Sequence, residues 1–164
     1  MNSTLPQTSS PLEATGAVRH RVAVVYHYLA HYRGPVFRAL SRQQEPDPVY
    51  TIVSATESNL PSLETVDPAL ARLPPEEGGI RWRFVKNFFV GPLLVQTGVL
   101  RLSVSDEFDT LIYLGDAHFV STWVAATCAR LTGKRVLMWT QGFLREERGL
   151  KGWLRLRFDG LAHG

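Results

Sequence analysis

Three short stretches of this chain carry the side chains that bind ligands or move protons, and each one follows an apolar run. The first is His27-Tyr28-Leu29-Ala30-His31-Tyr32-Arg33-Gly34, the second Gly115-Asp116-Ala117-His118, and the third Thr140-Gln141-Gly142. His27 and His31 are four apart, a spacing that suits a metal only on a helix, and here they follow a strand-like run in a tyrosine-rich loop. Arg33 stands at Gly34-Pro35, where proline at a first helical position marks a helix start, so Arg33 and the free amides of that terminus would favour an anionic group. Asp116 has two readings: it accepts from a ligand hydroxyl, or it caps the helix that starts near Phe119. Gly115 and Gly142 serve tight strand-to-helix turns, where a backbone can also come close to a ligand.

These stretches need strands behind them. Val22 to Tyr26 is a continuous apolar run, as expected of a strand buried on both faces of a parallel sheet. A helix is predicted from about 35 to 43 on the spacing of Val36, Phe37 and Leu40, and a second strand from Val49 to Ala55. Residues 56–79 are proline-rich and aperiodic, a functional loop or a partly helical one at 67–73. Ile80 to Phe88 reads as a third strand, and Gly91-Pro92 as the start of a helix through Leu93, Leu94, Thr97, Leu100 and Val104. Then comes a βαβ unit: strand 110–114, a helix with Val120, Trp123, Val124, Thr127, Cys128 and Leu131 on its apolar face, and strand 136–139. A last helix puts Leu150, Trp153, Leu154, Phe158 and Leu161 on one face. The order predicts an α/β fold: a doubly wound, Rossmann-like parallel sheet of about five strands, with ligands at the strands' carboxyl ends.

Composition bounds the function. The chain has 164 residues, 45% of them hydrophobic and 20% charged, as in an ordinary globular domain. Residues 1–17 have almost nothing to bury and read as a disordered leader before a domain at 18–164. From Arg130 to Arg157 there are eight Lys or Arg against Glu146 and Glu147. Such a run is a solvated helix face or a surface for anionic headgroups, with Lys151, Trp153, Arg155 and Arg157 as the membrane-surface candidates. No nucleic-acid motif accompanies the charge, so no nucleic-acid partner is expected. One cysteine, no secretory signal and no apolar run of about 18 residues predict a cytoplasmic protein, peripheral at the inner face of a membrane if its basic helix docks there. No G-x-G-x-x-G, P-loop or G-x-S-x-G elbow is present.

Val-Val-Tyr-His-Tyr-Leu-Ala-His-Tyr-Arg-Gly-Pro-Val-Phe-Arg-Ala-Leu at 24–40 resembles the opening of bacterial family-4 glycosyltransferases of the two-domain GT-B fold. Asp-Thr-Leu-Ile-Tyr-Leu-Gly at 109–115 and Lys-Arg-Val-Leu-Met-Trp-Thr-Gln-Gly at 134–142 are similar to that family's fourth and fifth strands. The resemblance spans about 21–164. It implies an acceptor-side domain that faces a nucleotide-sugar domain absent from these residues, and a retaining hexosyl transfer without obligatory metal or cofactor. The donor would be a nucleotide-sugar co-substrate, bound only with a separately encoded C-terminal half, and the acceptor a glycan or a lipid-linked glycan. Without that half the chain would be inactive. The implied substrate-binding residues are Tyr28, His31, Tyr32, Arg33, Gly34, Gly115, Asp116, Gln141 and Gly142. Where the family has histidine before the glycine of the fifth-strand loop, this chain has Gln141, which carries no proton near neutral pH. His118 is therefore the catalytic candidate on that edge. The alternative is a non-enzymatic α/β module that docks on a membrane or a partner through its basic last helix.

Overall fold

The computed structural model describes residues 20–43, 48–140 and 149–163. In chain order the elements are β1 (Arg21–Tyr28), α1 (Gly34–Arg42), β2 (Val49–Ala55), β3 (Trp82–Phe84), β4 (Asn87–Val90), β5 (Leu93–Gln96), α2 (Val99–Val104), β6 (Thr110–Leu114), α3 (Val120–Leu131), β7 (Arg135–Trp139) and α4 (Leu150–Asp159). Five strands form one parallel sheet in the order β3-β2-β1-β6-β7, and β4 and β5 form a separate antiparallel hairpin. This is a Rossmann-like α/β fold, as the strand pattern predicts.

Alternation along the strands divides the core in two. Ala23, Val25, Leu111, Tyr113 and Val136 face α2 and α3, while Val24, Tyr26 and Ile52 face Leu29, Phe37 and Trp82. Both faces of β1 are therefore buried, which is why its sequence shows no polar alternation. The excursion after β2 is partly helical, in two 3-10 turns at Pro68–Arg72 and Pro75–Glu77. It folds back over the loop after β1, where the Val66 amide donates to the Leu29 carbonyl at 2.8 Å.

Three expectations are corrected. The third strand is not continuous from 80 to 88: β3 stops at Phe84, and Asn87 begins the hairpin. Gly91-Pro92 does not open a helix but forms the two-residue connection between Val90 and Leu93. Gly91 sits at φ +57°, and proline cannot follow it with positive φ, so the connection has the glycine-first II′ pattern. Phe88, Phe89 and Val90 before it and Leu93, Leu94 and Val95 after it are strand formers, and they outweigh the helical spacing. α2 begins only after Gly98, at φ +83°.

The third correction concerns α3. Its buried side is Thr122, Ala125, Ala126 and Ala129, while Val124 is 50% and Leu131 81% exposed. Small residues let the helix lie close to a sheet face already filled by the fully buried Tyr113, and the larger apolar side chains are left outside. Trp123 is the intermediate case, with its ring 5.0 Å from that of Phe158 on α4. Beyond α4, His163 closes on the outer edge of β7: its amide donates to the Val136 carbonyl at 2.8 Å, and its Nδ1 accepts from the Val136 amide at 3.0 Å. Among the described residues no helix is long and apolar enough to cross a membrane.

Candidate functional site

The two halves of the sheet separate at the carboxyl end of β1. β1 pairs with β6 only as far as Val25 and Tyr113, whereas β6 and β7 remain paired to Leu114 and Trp139. On the other side the β1–β2 register slips between Val25 and Tyr28. Tyr26, His27 and Tyr28 thus run past the β6 ladder, at the reversal of strand order where open α/β sheets hold ligands.

Backbone carbonyls freed by this split need new donors. The hairpin supplies them. Asn87 Nδ2 donates to the His27 carbonyl at 2.7 Å, and Gln96 Nε2 donates to the Tyr26 carbonyl and to Asn87 Oδ1, both at 3.0 Å. Leu94 donates its amide to His118 O at 3.1 Å, and Ser121 Oγ accepts from the Gln96 amide at 3.0 Å, so the hairpin also binds the start of α3.

His27 lies where these parts meet. Its ring is 3.8 Å from Tyr28, 5.3 Å from Tyr26 and 5.4 Å from Phe119, centroid to centroid. Nδ1 has no hydrogen-bond partner among the described residues. Burial pushes its pKa down to about 4; Asp116 pulls the other way, and Arg33 adds to the lowering. The imidazole is therefore neutral near pH 7, and its unpaired Nδ1 is closed off from solvent. The spacing of His27 and His31 points only to a metal, and the place of His27 at the split shows only once the β1–β6 register is known.

The expected site residues divide into those that face the crevice and those that build it. Arg33 donates to the Tyr26 hydroxyl and lies 5.4 Å above that ring and 5.8 Å from the Tyr32 ring, and Tyr32 is 61% exposed. The guanidinium counteracts part of the rise that burial gives the Tyr26 pKa. Tyr28 is buried, Gly34 packs near Val66, and His31 turns its Nδ1 to the Glu64 carbonyl at 3.2 Å. These three hold the loop in place. Among the described residues no three His, Cys, Asp or Glu side chains converge as metal ligands would.

Across the crevice, Asp116 Oδ1 accepts from the His118 amide at 2.9 Å and lies 2.8 Å from His118 Nδ1. The carboxylate therefore fixes the turn and the imidazole rather than capping α3, whose N-terminal residue Phe119 has no side-chain cap. His118 is exposed at the rim. Gly115 is required by packing: a Cβ there would fall 2.2 Å from Thr140 Cγ2. Gln141 and Gly142 lie outside the described residues, as do the side chains of Lys151 and Arg155. Trp153 and Arg157 are both exposed, with the guanidinium 5.4 Å from the indole.

Beside the crevice, at the carboxyl end of β2, is a hollow of about 550 Å³ lined by residues 55–59 and 85–89. It sets Glu57, Ser58, Asn59 and Lys86 against the rings of Phe88 and Phe89. No periodicity or motif points to it, because the strand break at 85–86 creates it. No family model, curated protein or solved structure matches the chain.

Proposed function

We propose that this chain is the acceptor-side domain of a retaining, GT-B-type glycosyltransferase, which transfers a sugar from a nucleotide-sugar only when a second, donor-binding half is supplied. The observation that carries this reading is the crevice at the split of β1 from β6, where neutral His27 feels both Arg33 and Asp116 and the hollow of about 550 Å³ opens beside it. Carboxylate, amide and hydroxyl side chains opposite phenyl rings suit a sugar, which offers hydroxyls on its edges and C–H groups on its faces.

The chemistry assigned to the residues follows from their partners. His27, its Nδ1 buried, packs against the Tyr26, Tyr28 and Phe119 rings and shapes the floor of the crevice without meeting the acceptor; with a pKa of about 4 it is too weak a base for efficient proton abstraction near pH 7. Asp116 holds His118 Nδ1–H, which leaves the Nε2 lone pair to take the acceptor's proton as its oxygen bonds to the anomeric carbon. The bond from that carbon to the diphosphate breaks in the same transfer, with the acceptor oxygen arriving on the face from which the diphosphate leaves so that the configuration is retained, and the donor half would hold the leaving diphosphate. Arg33, beside the cleft, meets negative charge on the acceptor or the departing group.

Saturation-transfer NMR of the chain against a panel of neutral and phosphorylated saccharides tests the binding half of this reading. Ligands at about 10 mM populate even a site with a Kd of ~1 mM. The expected result is saccharide binding that His27→Phe and Asp116→Ala both weaken. No saccharide bound, or binding indifferent to both changes, removes the reading. A second reading, docking through α4, rests on Trp153, which stays 52% exposed beside Arg157.

A further inference from the structure

The hairpin β4–β5 adds no strand to the main sheet, and its two faces differ sharply. Asn87, Leu94 and Gln96 turn inward, with Leu94 fully buried and Gln96 4% exposed. Cross-strand register puts Phe88 opposite Val95 and Val90 opposite Leu93 on the outward face. Those four are 53%, 40%, 69% and 41% exposed. A ribbon that leads with two apolar pairs is costly in water, and soluble surfaces seldom carry such patches without a partner.

Charge within the ribbon and the helix after it has one sign, although Glu57 borders Phe88 and Phe89 on one side. Residues 87–104 contain no acid and one cation, Arg101. At the root of the ribbon Arg83, Lys86 and Arg101 line a second hollow of about 440 Å³, in which Glu107 is the acid. Glu107 pairs with Arg83, so Lys86 and Arg101 remain exposed and have no ion-pair partner among the described residues.

We propose that the outward face of this hairpin docks on an anionic lipid bilayer. The Phe88–Val95 and Val90–Leu93 pairs reach the boundary between headgroups and acyl chains, and Lys86 and Arg101 sit at the level of the headgroup phosphates. The depth is shallow, because β4 has only β5 as a strand neighbour and its free backbone edge still needs water. A second copy of the chain fits less well. Whichever way a two-fold axis ran through this face, each cationic root would meet a segment, 87–104, that offers no acid. This surface is distinct from α4, and the proposal does not depend on the glycosyltransferase reading, although Lys86 and Phe88 also border the hollow of about 550 Å³.

Sedimentation with vesicles of phosphatidylcholine, with and without phosphatidylglycerol, tests it. Binding is expected only with phosphatidylglycerol and should fall with salt. Phe88→Ser/Leu93→Ser should lose about tenfold or more in partitioning, and Lys86→Glu/Arg101→Glu should lose the dependence on anionic lipid. All four positions are exposed, and circular dichroism checks that each variant stays folded. A polarity-sensitive dye on Val90→Cys, in a Cys128→Ser background, should shift blue when anionic vesicles are added. The proposal is overturned by absence of vesicle binding, by unchanged binding of Phe88→Ser/Leu93→Ser, or by a dye that does not respond while the protein is bound. Lipid-free dimerisation that Phe88→Ser abolishes would also overturn it. Saccharide binding is read with soluble ligands, so either proposal can fail alone.

Discussion

At the scale of single residues, the site depends on two positions of different kinds. Gly115 is fixed by packing. Its amide donates to the Trp139 carbonyl at 3.0 Å, and a Cβ would strike Thr140 Cγ2. Gly115→Ala should cost about 1–3 kcal/mol by overpacking, measured by urea denaturation. Thr140→Ala in the same chain should recover part of that loss, since neighbouring sites couple; equal destabilisation of the single and double variants would show that the contact is not the cause. His27 is fixed by chemistry, as a polar ring among aromatic ones with a nitrogen left unpaired. The structure sets Tyr32 and Arg33 beside the end of β1 and Asp116 beyond the end of β6, two of the loops the sequence singled out. The sequence did not show which loop residue sits at the centre of the crevice. Side-chain roles there follow from long-range register, namely where β6 lets go of β1 and which amides of a distant hairpin take up the freed carbonyls. Local spacing carries no record of either.

At the scale of elements, periodicity found every strand of the parallel sheet but misjudged two faces. For α3, apolar spacing selected Val120, Val124 and Leu131, yet the helix buries alanines because a close helix–sheet approach selects for small size. Ala126→Leu should therefore destabilise by about 1–3 kcal/mol, whereas Val124→Glu should stay within about 0.5 kcal/mol, as for other exposed positions. Chemical denaturation of the two variants decides between the faces; the reverse ranking would restore the larger stripe to the core. The hairpin was hidden for a related reason. Leu93, Leu94, Thr97 and Leu100 fit a helical stripe as well as a strand followed by a helix, and only the positive φ of Gly91 and Gly98 separates the two. An edge strand of three residues, β3, ends where this hairpin begins, so one misjudged boundary moved both elements.

At the scale of the whole molecule, protonation links the crevice to the stability of the fold. The folded-state pKa of His27 is lowered from 6.5 to about 4, chiefly by burial. Above pH 6.5 both folded and unfolded chains hold this imidazole neutral, and it contributes nothing to pH dependence. Below 6.5 the unfolded chain takes up a proton that the folded chain refuses, so stability falls as pH drops and levels off near pH 4. At 1.36 kcal/mol per unit the loss through His27 is about 3 kcal/mol, roughly 10 °C in Tm for a domain of this size. Asp109 acts at the opposite end of the sheet. The Arg21 amide donates to its Oδ2 at 2.7 Å, and this bond, with the Arg21 guanidinium, holds its carboxyl below the usual carboxylate range. Its contribution is present above the unfolded pKa and is lost only as pH falls through the lower folded value. The two groups thus act in adjacent windows, pH 6.5 to 4 for His27 and below about 4 for Asp109. Thermal melts from pH 8 to pH 3 should show His27→Gln flattening the upper window alone and Asp109→Asn flattening the lower one alone. A His27→Gln profile parallel to the parent's between pH 6.5 and 4 would mean that the imidazole is not held neutral in the fold.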